Sequence, residues 1–240
     1  MTWSRISSRA QAVLVSSMAA VFFGSAFPAV IPVVSAPLRA ETDEGVIVAF
    51  GDSLTQGFIL PESEAYPARL EARLRSEGYA YRVVNEGVNG ETSSGALSRV
   101  NWILRLKPDI VILETGANDG FRGIPPEVVE ANISEIIRIL KENRVTVVLA
   151  GMQMPPNLGP RYTAAFREIY PNAARRHGVI LIPFFLDGVA GEPSLNLPDG
   201  IHPTAEGFGI VVNNVWPYVL EAIEAVRSAK VPKYGHPSEP

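Results

Sequence analysis

The chain predicts a single α/β domain built on a parallel sheet. Three observations carry that prediction. Short apolar runs, of the kind that form strands buried on both faces, alternate with segments whose apolar residues recur at helical spacing. No internal repeat or long linker interrupts the alternation. The 240 residues are enough for one sizeable domain and few for two. Right-handed crossovers should then place helices on both faces of the sheet.

Val46 to Phe50 is the first apolar run, and Gly51-Asp52-Ser53 follows it at once. Gly51 is expected to let the backbone turn where the strand ends. Tyr66 to Glu77 carries Tyr66, Leu70 and Leu74 on one helical face and stops at Gly78. Tyr81 to Val84 is a second short strand, and residues 85–90 (NEGVNG) form a turn-rich loop. Ser94 to Leu106 predicts a helix closed by Lys107-Pro108. Asp109 to Glu114 (DIVILE) predicts a third strand, ending in a second glycine-rich loop over residues 115–120.

Pro125 to Lys141 is amphipathic, with proline suited to its first turn. Val145 to Ala150 is a fourth strand, and the proline- and methionine-bearing residues 151–160 are irregular. Tyr162 to Arg176 predicts a helix that contains Pro171, Val179 to Pro183 a fifth strand, and Ala205 to Ser228 the last helix. One domain thus spans residues 45–228, and the polar, proline-rich residues 229–240 are expected to be a disordered tail.

Residues 1–40 differ from the rest. Arg5 and Arg9 precede an uncharged stretch from Ala12 to Ala36, the charge plan of a secretory signal, although its length also suits a membrane anchor. Export to the periplasm or beyond is the expectation. Without these residues the chain keeps 18 basic against 25 acidic side chains, a net charge of about −7. Such a chain, lacking any basic block, is not a nucleic-acid binder. Membrane contact is expected only through the N-terminal segment or a lipid substrate. Cysteine is absent, which excludes disulfides, thiolate metal sites, a cysteine nucleophile and a lipid-anchored lipoprotein.

Ser53 sits at the carboxyl end of the first strand, the edge where open α/β sheets hold ligands, and is a candidate nucleophile. There are three histidines from which to choose its base. His236 lies in the tail. His177 precedes Gly178 at a helix end, where a cation meets the helix dipole favourably. His202 lies in residues 197–203 (LPDGIHP), three positions after Asp199, a spacing that lets the carboxylate hold one ring nitrogen while the other faces Ser53. Oxyanion donors should come from the same edge: the N–H of Ser53, the N–H of Gly90 and the side-chain amide of Asn118. Phe121, Met152, Met154, Pro155 and Leu158 are candidates for an acyl pocket, the methionines suiting a pliable apolar wall.

These blocks resemble the SGNH hydrolase superfamily, also called the GDSL family. Its serine matches Ser53 in residues 51–54 (GDSL), its glycine Gly90, its asparagine Asn118 in residues 116–119 (GAND), and its histidine His202 with Asp199. Residues 151–157 (GMQMPPN), Arg161-Tyr162 and residues 169–171 (IYP) look like the bacterial arylesterase, acyl-thioesterase and lysophospholipase branch. The resemblance implies a three-layer α/β/α, flavodoxin-like fold with five parallel strands and frequent export to the periplasm. The chain lacks the second glycine of a G-x-S-x-G elbow, which separates it from the ordinary α/β-hydrolase pattern.

The expected chemistry is hydrolysis of a small-molecule carboxylic ester or acyl thioester through an acyl-enzyme, with no metal or cofactor. Two other readings stay open at this point: a carbohydrate O-acetyl esterase on the same fold and triad, and an exported binding module without activity.

Overall fold

The computed structural model describes residues 43–230. The expectations for residues 1–40 and for the end of the tail fall outside the described residues. Among the described residues no helix is long and apolar enough to cross a membrane.

Five parallel strands form one sheet: β1 (Gly45–Gly51), β2 (Tyr81–Gly87), β3 (Ile110–Leu113), β4 (Thr146–Ala150) and β5 (Ile180–Ile182). Their order is β2-β1-β3-β4-β5, the flavodoxin-like arrangement. The chain leaves β1 for β2 on one side and returns to β3 on the other. The carboxyl ends of β1 and β3 therefore flank the topological switch point, where such sheets open a crevice.

Helices cover both faces. α3 (Ser93–Arg105), α5 (Pro126–Glu142) and α6 (Pro160–His177) pack together on one side. On the other, α2 (Tyr66–Ser76) packs beside α7 (Ala205–Lys230). Two short helices, α1 (Ser53–Gln56) and α4 (Ala117–Phe121), follow β1 and β3 directly. The core runs along the central strands: Ile47 to Phe50 and Ile110 to Leu113 are wholly buried, as burial on both faces demands.

Several boundaries differ from the sequence expectation. β2 continues through Asn85, Glu86 and Gly87, which sequence reasoning placed in a loop. Those residues pair in register with Ala49, Phe50 and Gly51 of β1, so ladder hydrogen bonds override their turn propensity. The glycine-rich loop after β3 is largely α4, not irregular chain. The last helix does not stop at Ser228. It runs to Lys230, whose Nζ donates to Asp109 Oδ1 at 2.8 Å, so residues 229 and 230, expected in the tail, belong to the helix.

Gly51 is needed for a different reason from the one its position suggests. Its φ is not in the left-handed region; a Cβ there would lie 2.2 Å from Thr55 Oγ1 and 2.6 Å from the Glu114 carbonyl. Close approach, not turn conformation, demands glycine.

His177 closes α6, but not as the favourable cation expected of it. Burial first, then the charges of Arg176 and Lys141, push its imidazole below the ordinary value. The Lys141 ammonium instead donates to the His177 carbonyl, supplying the cation at that helix end.

Candidate active site

β1 delivers the chain to the switch point, and Asp52 caps α1 by accepting from the Leu54 N–H at 2.9 Å. Ser53, the first residue of α1, is thereby held at the rim of the sheet with 6% of its surface exposed. The loop before α7 brings His202 to it. Nε2 of His202 lies 2.9 Å from Ser53 Oγ, and Nδ1 lies 2.8 Å from Asp199 Oδ2. Residues 149 positions apart in sequence thus share one hydrogen-bonded chain.

Asp199 is fixed by its own turn. Its Oδ1 accepts from the N–H groups of Ile201 at 2.9 Å and His202 at 3.0 Å. Partial burial works to raise this carboxyl, but the two backbone donors and the imidazole outweigh it and bring it down to about 2. The carboxylate is therefore charged at neutral pH beside the ring. The loop is braced further: Leu197 N–H donates to the His202 carbonyl at 2.7 Å, and Asn196 bridges to Pro203.

Asn118 lies in the first turn of α4, and its Nδ2 donates to Asp52 Oδ2 at 3.0 Å. Asp52 therefore ties the turn that carries Ser53 to Asn118 across the crevice. Gly90 adopts φ +73°, and its carbonyl accepts from Arg122 Nη2 at 2.9 Å, which links its loop to the end of α4. Of the expected acyl-pocket residues, Phe121, Met152, Met154 and Pro155 line a cleft of about 460 Å³ that also holds Ser53, Asn118 and His202. Leu158 does not. It sits in the 3-10 turn Pro156–Leu158, packs on the core, and faces a separate surface depression beside Tyr162. Phe184, Leu186 and Ala190 join the cleft instead, from the segment after β5.

Sequence reasoning missed several supporting groups. Glu114 is wholly buried after β3; its Oε2 accepts from Asp52 N–H at 3.2 Å and Thr55 Oγ1 at 3.0 Å, while Oε1 has no partner among the described residues. An acid ending an otherwise apolar strand was the available signal. Arg99 lies over the Phe50 ring and donates to the carbonyls of Glu86 and Gly51, at 2.6 and 3.3 Å, clamping the ends of β2 and β1. Asp119 accepts from both the N–H and the hydroxyl of Ser93 at 2.7 Å, pinning α4 to α3.

Burial pushes Asp52 up to about 6, against the hydrogen bonds from Leu54 and Asn118, and burial beside Asp52 pushes Glu114 well above the usual carboxylate range. A carboxyl held above its ordinary value favours the folded state while protonated. The Asp52 contribution is therefore complete below about pH 4 and lost as the pH rises through about 6. Asp52→Asn keeps a cap acceptor but cannot ionise. Urea unfolding across pH 4–7 should show the variant gaining stability on the wild type as the pH rises. Parallel pH dependences would contradict the shift.

Known proteins carry the same framework. Residues 49–210 match the model of the GDSL-like lipase/acylhydrolase family. The chain is 40% identical over 172 residues to the esterase TesA of Pseudomonas aeruginosa, covering 71% of this chain and 86% of that one. It is 35% identical over 161 residues to thioesterase 1/protease 1/lysophospholipase L1 of Escherichia coli strain K12, covering 67% of this chain and 76% of the other. A crystal structure of TesA superposes with a TM-score of 0.72 at 38% identity, over 74% of this chain and 99% of that one. With the five-stranded fold, the family blocks in their expected order and relatives of this closeness, the chain belongs to the GDSL-like lipase/acylhydrolase family.

Proposed function

We propose that the protein is a serine hydrolase of carboxylic esters and acyl thioesters, with Ser53 as nucleophile, His202 as base and Asp199 as the group that orients it. The observation that carries this reading is the continuous chain from Asp199 Oδ2 through the imidazole to Ser53 Oγ, at 2.8 and 2.9 Å, beside an apolar cleft. Ser53 Oγ attacks the acyl carbon and its proton passes to His202 Nε2. The carbonyl oxygen becomes an oxyanion, received by the N–H groups of Ser53 and Gly90 and by the Asn118 amide. Collapse breaks the bond to the leaving oxygen or sulfur, which takes the proton from Nε2, and Ser53 holds the acyl group. Water, deprotonated by His202, then releases the acid and restores the hydroxyl.

The cleft supports an acyl chain of more than two carbons. Its volume falls in the usual range for small-ligand sites, and Leu54, Met152, Met154, Phe184 and Leu186 give it an apolar lining. The names of the relatives, an esterase and a thioesterase/lysophospholipase, agree with such substrates. The charge plan of residues 1–40 supports export as the setting.

The test is a series of p-nitrophenyl esters from acetate to palmitate. Each buried methylene contributes roughly 0.8 kcal/mol, so kcat/KM should rise at least about 10-fold from acetate to a medium-chain ester. It should fall again when the chain outgrows the cleft. A profile that is highest at acetate would favour an O-acetyl esterase. Absence of turnover, with no labelling by a serine-directed phosphonate, would leave a binding module.

A further inference from the structure

The His202 imidazole is held by more than its two edges. Nδ1 meets Asp199, Nε2 meets Ser53, and one face of the ring is covered by Phe58. The two ring centroids lie 4.0 Å apart and the planes differ by 7°, a stacked pair. Phe58 reaches this position at a conformational cost. Its φ is +47°, in the left-handed region that a bulky L-residue rarely adopts. Its N–H and that of Gly57 both donate to the Ser53 carbonyl, at 3.2 and 3.1 Å. The turn that presents the nucleophile therefore also aims the aromatic ring.

Ordinary packing does not account for the arrangement. Phe58 is half-buried and, among the described residues, stands outside the hydrophobic core cluster. Its neighbour Ile59 is 72% exposed. A strained backbone thus places a large apolar side chain against the imidazole and not against the core.

We propose that Phe58 is a positioning residue for hydrolysis. Its ring fixes the plane of the His202 imidazole between Asp199 and Ser53, and its π face stabilises the imidazolium that forms as Ser53 gives up its proton. The proposal rests on the reading of His202 as the base. A cation over an aromatic face gains more than a neutral ring does. The contact is therefore stronger in the transition state than in the resting enzyme, and its effect falls on kcat.

The experiment compares Phe58→Leu, Phe58→Tyr and a series of mono-, di- and trifluorinated phenylalanines at position 58, using one p-nitrophenyl ester. Phe58→Leu should lower kcat about 10-fold with KM within about twofold, and Phe58→Tyr should retain most of the rate. Fluorination keeps ring shape while withdrawing π density, so kcat should fall stepwise along the series at unchanged melting temperature. A flat fluorinated series overturns the proposal, as does a Leu variant whose loss lies in KM. Ser53→Ala and His202→Ala run beside the series separate the two readings. If both are inactive while the series is flat, Phe58 alone loses its role. If either turns over like the wild type, the serine-hydrolase reading fails.

Discussion

Ser53→Ala should lower kcat for an aryl or thio ester by about 10⁶-fold and leave the melting temperature within a few degrees of the wild type. The size follows from loss of the atom proposed to form the acyl-enzyme bond. The fold should survive because Ser53 does not cap its own helix: Asp52 does, through the Leu54 N–H. Nor is a large volume removed, since alanine lacks only the hydroxyl that meets His202 at 2.9 Å. Residual rate enhancement of about 10³ over water is expected from the oxyanion donors and the cleft. Steady-state kinetics with rigorously purified protein, and mass spectrometry of a phosphonate adduct that maps to residue 53 in the wild type only, check the result. A variant within tenfold of the wild-type rate would end the assignment of Ser53.

Asp199→Asn should cost about 10³- to 10⁴-fold in kcat, with KM nearly unchanged. The loss has a specific cause. Asparagine can keep its oxygen on the Ile201 and His202 N–H groups, where Asp199 Oδ1 now sits. Its amide nitrogen then faces Nδ1, which must become an acceptor. The proton moves to Nε2, and the ring can no longer take the Ser53 proton. Loss of the charge, which the backbone donors keep ionised down to about pH 2, also removes stabilisation of the imidazolium. The Asp199 side chain is 36% exposed, so solvent screens part of that charge and the lower end of the range is favoured. Measurement of kcat at pH 7 to 9 with the variant at wild-type stability decides it. A loss below tenfold would mean that the turn alone, and not the carboxylate, orients the ring.

The supporting polar groups explain why this site needs a fold and not only a motif. Asp52 is bonded to Leu54, to Asn118 and, through its own N–H, to Glu114, so the ends of β1 and β3 are joined beneath the crevice. Arg99 and Asp119 secure the flanking loops in the same way. A displacement of about 1 Å at any of these joints would misplace a donor or the nucleophile, and catalytic geometry tolerates little such error.

Much of this was legible in the residues. Strands buried on both faces must be apolar throughout, so β1, β3 and β4 announce themselves, and a GDSL block after the first marks the proposed nucleophile. Asp199 and His202 are three positions apart, so their contact is a local property of one turn. What required tertiary structure lies between elements. β2 extends through Asn85-Glu86-Gly87 because β1 offers a ladder there, a pairing that local propensity opposes. Leu158 leaves the cleft and Phe184 enters it in loops after β4 and β5 that are joined by backbone bonds between Gly151 and Ile182 and between Phe185 and Gly151, contacts remote in sequence. Phe58 meets His202, and Glu114 meets Asp52, across distances in sequence that no spacing rule encodes. Local order is written in short windows of residues by sterics and periodicity. The side chains that aim the base and fix the donors are brought together only when the sheet closes its register and the helices seal its faces.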